Sequence, residues 1–146
     1  MSGVPSAGRL DVSSVDVDAR TEAFGIGCSP AALTADPQRL HPGGAIALTT
    51  SGLPEGGASG VWILGLDETA VDLTSIGMSG CWLNTTPLVT ETLVTTTGLA
   101  SRSWPLPGDP ALSQDVLRSQ VVLLAPGANR AGAISTRGLR MILGNR

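Results

Sequence analysis

Apolar and polar residues alternate along this chain over short stretches, and glycine or proline interrupts the alternation at close intervals. A period of two is the mark of a strand with one buried face. The clearest case is TPLVTETLVTTTG, where Leu88, Thr90, Thr92 and Val94 share one face and Val89, Glu91, Leu93 and Thr95 the other. Its threonines and valines favour a pleated backbone because branched Cβ atoms fit that surface. Gly98 then turns the chain and LASRSWPLP follows, so residues 86–104 are expected to form a β-hairpin. AIALTTS (45–51) follows Pro42-Gly-Gly and reads as a further strand. GVWILGL (60–66) and VVLLAP (121–126) are unbroken apolar runs, expected to be strands buried on both faces. AISTRGLRMILG (133–144) adds one or two strands, broken near Gly138.

One helical signal stands among these strands. Asp109 can cap, Pro110 suits a first helical position, and ALSQDVLRSQ could carry one or two turns. SGLPEGGASG has the composition of a turn region. With seven to nine short strands and no long amphipathic helix between them, the expected fold is all-β. It is an antiparallel β-sandwich, jelly-roll or immunoglobulin-like, with at most one short helix. No internal repeat of fixed period is present.

Residues 1–22 read as an N-terminal arm and residues 23–146 as the sandwich domain. The arm begins loosely through Gly3, Pro5 and Gly8. LDVSSVDVD then sets Val15 and Val17 against Asp16 and Asp18. Leu10, Val12, Val15 and Val17 are the residues expected to mediate assembly, by adding a strand to a sheet edge.

At 146 residues the chain suits one domain with a core of its own. Its 19 glycines and 10 prolines fit strands joined by tight turns. The net charge of −3 argues against a nucleic-acid partner. The charge is unevenly spread: residues 1–115 carry −8 and residues 116–146 carry +5. Chance and strand alternation account for this; a sharper reading is a basic face that meets an acidic face of a neighbouring copy. No apolar run reaches membrane-spanning length, and the first residues lack the apolar stretch of a secretory signal, so no membrane insertion is expected.

Catalytic constellations are missing. His41 is the only histidine and sits in a turn-like His-Pro-Gly-Gly; no G-x-S-x-G elbow accompanies it. Two cysteines and one histidine fall short of a zinc set. Asp16 and Asp18 have no calcium loop around them, and Asp67, Glu68 and Asp72 read as a solvated turn and cap. Four aromatic rings are too few for the platforms that sugar-cleaving sites use. Phe24-Gly-Ile-Gly-Cys28 lacks the spacing and lysine of a phosphate loop. Asn84-Thr-Thr has the letters of a glycosylation sequon, which arise often by chance. No metal or cofactor is expected.

Cys28 and Cys81 both follow a glycine and adjoin apolar residues, with no basic neighbour to activate a thiol. They read either as two buried thiols or as one disulfide, and their matching contexts favour the bridge. Closing a loop of about fifty residues would add roughly 4 kcal/mol on the chain-entropy description.

The order of FGIGC, VWILGL, VDLTSIGMSGCWL, the P-L-P-x-D-P-x-L step and VLLAPGANRAGAISTRGLRMILG resembles a β-sandwich domain found at the C-terminal ends of secreted or surface proteins of planctomycetes and myxobacteria. The match covers residues 24–144. It implies that Cys28 and Cys81 correspond to that family's cysteines, Pro107, Asp109 and Pro110 to its step, and Pro126, Ala128 and Asn129 to its closing turn. It implies no catalytic residue. The 22-residue arm and the start without an apolar leader depart from its pattern.

Together these features lead to the expectation of a non-enzymatic structural protein that self-assembles or docks on a larger protein shell. The expected setting is a virion surface, as a decoration or cement protein. The competing expectation is an extracellular or cell-surface module that binds carbohydrate, with Trp104 as its ligand contact. Trp62 lies in a buried run and Trp82 beside Cys81.

Overall fold

The structure, a computed structural model, describes residues 18–145. Leu10, Val12, Val15 and Val17 lie outside the described residues. Eleven strands are present among those described: β1 (Arg20–Phe24), β2 (Ala32–Ala35), β3 (Ala45–Ser51), β4 (Ala58–Gly65), β5 (Glu68–Asp72), β6 (Trp82–Thr85), β7 (Val89–Thr95), β8 (Leu99–Pro105), β9 (Val116–Leu124), β10 (Ala133–Ser135) and β11 (Gly138–Ile142). The strand β1 runs across the boundary expected between residues 22 and 23. Helical structure is limited to single 3-10 turns at Pro37–Arg39, Thr74–Ile76 and Pro110–Leu112.

The strands form antiparallel sheets. A six-stranded sheet has the order β1-β11-β9-β4-β7, with β10 also pairing β9; a three-stranded sheet has the order β2-β3-β8; β5 and β6 make a separate pair. The protein is an all-β sandwich. Ile46 and Leu48 of β3 and Ala100 of β8 pack against Trp62 of β4, Leu93 of β7, Val121 and Leu123 of β9, and Leu139 and Met141 of β11. Each of the larger aliphatic side chains among them, taken fully out of water, contributes about 1.5–3 kcal/mol. The opposite face of the six-stranded sheet carries the alternate residues, among them Gln120 and Ile63, and the β5–β6 pair lies over part of it.

Two sequence expectations are corrected. First, residues 86–104 form two strands but no hairpin: β7 pairs β4, β8 pairs β3, and the chain changes sheets between them. Threonine hydroxyls hold this arch. Thr95 Oγ1 donates to the carbonyl of Leu99 at 2.6 Å, Thr97 Oγ1 donates to it at 3.0 Å, and Thr97 N donates to Thr95 Oγ1 at 3.2 Å. These bonds satisfy backbone groups at the turn and leave each strand free to pair elsewhere. Second, the helix stops after one turn. Asp109 caps it, accepting from Ala111 N at 2.9 Å, but β9 begins at Val116. Residues 116–120 pair with β11 and β4 on either side, and that pairing outweighs the weak helical preference of so short a segment.

The break expected near Gly138 is a bulge. Six residues separate Ala133 from Leu139, but their partners Leu124 and Ser119 are five apart. Thr136 bridges the extra residue: its N–H donates to Val121 O at 2.9 Å and its hydroxyl accepts from Val121 N at 3.0 Å. A bulge of this kind bends a strand while keeping the ladder satisfied.

Candidate functional site

Cys28 and Cys81 form a disulfide. It ties the loop after β1 to the start of β6. Cys81 is fully buried, and Trp82 beside it is half-buried. Around the bridge lies a buried polar network. Gln120 Nε2 donates to Trp82 O at 2.7 Å and Thr136 O at 2.8 Å, and its Oε1 accepts from Asn84 N at 2.8 Å. Asn84 Nδ2 donates to Ile26 O at 2.9 Å. The sequon asparagine is therefore buried and engaged. The network bonds the groups it hides, so it serves to seat the β5–β6 pair and the 25–29 loop on the sheet.

Glu68 is more than a turn residue. It belongs to β5 and meets two arginines of the opposite elements: Arg140 Nη2 and Nε donate to its carboxylate at 2.8 and 2.6 Å, and Arg118 Nε at 3.1 Å. Arg118 also donates to the carbonyl of Leu66, and Arg140 Nη1 reaches Glu22 at 3.1 Å. The hydrogen bonds from Arg140, with those from Arg118, bring the Glu68 pKa down from 4.5 to about 2. The same pairing raises Arg140. Two of the arginines in the basic C-terminal stretch are thus matched by acids of their own chain, Glu68 and Glu22.

Trp104 is half-buried. Its ring meets Trp62 edge to face with centroids 6.1 Å apart, its Nε1 donates to Glu91 at 2.7 Å, and Arg102 lies 5.1 Å over the ring. Arg102, then Trp104, also holds the Glu91 carboxyl below its ordinary range. His41 hydrogen-bonds with Pro42 O through Nδ1 at 2.9 Å. No group of three potential metal ligands occurs among the described residues, and no described helix is long and apolar enough to cross a membrane.

A further surface feature lies elsewhere. At one end of the sandwich an apolar groove of about 550 Å³ opens between the sheets, lined by Ile46, Leu64, Gly65, Leu66, Leu88, Val89, Leu106, Pro107 and Leu117. Leu88, Leu66 and Val89 at its rim are 66%, 51% and 42% exposed. Beside it runs β7, which among the described residues pairs only β4, so its outer edge presents unpaired backbone groups. Leucines on an open strand edge invite another strand. Sequence reasoning missed this groove. The usable signal was a set of leucines next to prolines (Leu88 after Pro87, Leu106 between Pro105 and Pro107), placed where strands end and cores cannot cover them.

Compared with known proteins, the chain matches no family model, no curated protein and no solved structure.

Proposed function

We propose that this protein is a non-enzymatic structural module that works by assembly, on the surface of a larger protein shell such as a virion. One observation carries the reading: the sandwich leaves a leucine-lined groove and the unpaired edge of β7 side by side. Such a pair of features costs solubility unless a partner covers it. The disulfide supports a setting outside a reducing cytoplasm, which suits a particle surface and a cell surface alike. The carbohydrate-binding alternative draws less support, because Trp104 is engaged by Trp62, Glu91 and Arg102 of its own chain.

Light scattering on the full chain, and on the chain without residues 1–17, tests the proposal. This truncation spares Ala19, which packs on the core, and Arg20, which pairs with Ile142. The expected result is an oligomer for the full chain and a monomer for the shortened one. A full chain that stays monomeric throughout the micromolar range would sink the reading.

A further inference from the structure

We infer that the groove and the free edge of β7 form the seat for residues 10–17 of a second copy of this chain, an inference that rests on the assembly reading above. In LDVSSVDV, Val15 and Val17 alternate with Asp16 on one face of an extended segment, and Leu10 and Val12 alternate with Asp11 on the other. That is the pattern of an added strand: its backbone pairs with an edge while alternate side chains enter a pocket. The groove suits it chemically. Leu64, Leu66, Leu88, Leu106 and Leu117 surround a space large enough for more than one aliphatic side chain.

Reach decides between the chain's own segment and a neighbour's. Arg20 begins β1, on the far side of the six-stranded sheet from β7. Register places Arg20 opposite Ile142, and Ile142 opposite Val116, so β1 starts at the same end of the sheet as the groove. A strand added outside β7 would lie five strand spacings from β1, about 24 Å at ~4.8 Å each. Only Asp18 and Ala19 separate Val17 from Arg20, a connection of at most about 11 Å. Moreover, Asp18 and Ala19 line a hollow with Pro37 and Gln38, at the end of β2. A strand of residues 10–17 along β7 must therefore come from another molecule. Exchange of this kind builds either a reciprocal dimer or a ring.

The test uses full-length chains with substitutions on opposite sides of the contact. Leu88→Asp breaks the seat at a largely exposed position, and Val15→Asp with Val17→Asp breaks the segment. Each variant alone is expected to sediment as a monomer, with its dissociation constant raised about tenfold or more. Mixed in equal amounts, they are expected to form a heterodimer, since one retains an intact segment and the other an intact seat. Retained circular dichroism and an intact disulfide show that each variant is folded. Mixtures that remain monomeric overturn the inference. So does a Leu88→Asp chain that assembles like the parent while the segment variant does not; that result leaves arm-driven assembly standing and moves its seat elsewhere. A monomeric parent whose β7 amides lose hydrogen-exchange protection only in the segment variant would mean that the chain fills its own groove, which also overturns it.

Discussion

Thr50 stands in β3 between the inner faces of the two sheets, fully buried, and its hydroxyl is the one buried side-chain polar atom without a hydrogen-bond partner among the described residues. A buried donor left unpaired costs about 1–3 kcal/mol, and valine has the same shape without it. Thr50→Val is therefore expected to stabilise the fold by about 1 kcal/mol, seen as a higher urea midpoint with an unchanged slope. A lower midpoint would mean that the hydroxyl is satisfied in solution. Gly60 illustrates the opposite constraint. A Cβ there would overlap the carbonyl of Val122 on the neighbouring strand, so only glycine lets β4 and β9 close up at that point. Residues of both kinds are silent in the sequence: Thr50 reads as an ordinary strand threonine and Gly60 as a turn glycine.

The β5–β6 pair shows how an element too small to be stable alone is fixed by three chemically different ties, namely the disulfide, the Gln120 amide and the Glu68 carboxylate. Each should fail under its own condition. Serine at both Cys28 and Cys81 is expected to cost about 4 kcal/mol on the chain-entropy description, measured by denaturant unfolding; a loss below about 1 kcal/mol would show that the other ties suffice. Glu68 answers to acid. Its carboxyl is held below the ordinary value of 4.5, so its contribution is fully present above that pH and disappears as pH falls toward about 2. Glu68→Gln is expected to lower stability near neutrality by about 1 kcal/mol or less, because the cluster is partly exposed. It should also flatten the decline in melting temperature between pH 4.5 and about 2; a variant with the parent's acid profile would assign that decline to other carboxylates. Strands of this protein were largely legible, since alternation and branched residues are local: AIALTTS is β3 to the residue. Pairing was not. Nothing local in residues 86–104 says that β7 and β8 belong to different sheets, because the partners that decide it, β4 and β3, lie far away in the sequence.

For the whole molecule, sandwich and bridge could be read from composition, turn spacing and matched cysteine contexts. The groove could not, because it exists only where the ends of β3, β4, β7, β8 and β9 converge. The uneven charge is likewise a property of the fold: two C-terminal arginines find Glu68 and Glu22 across elements that are distant in sequence. The sheet order has a consequence for how the chain acquires its shape. The first described strand, β1, waits for the last, β11, and central β4 has no neighbour on one side until β9 exists. A growing polypeptide must therefore carry β1 unpartnered while nearly all the rest is synthesised, and β4 with one open edge until β9 follows. Closing such long loops late makes folding slow, on the millisecond-to-second scale of all-β domains, and exposes sticky strands meanwhile. Production of this protein should accordingly benefit from low temperature or a holding chaperone.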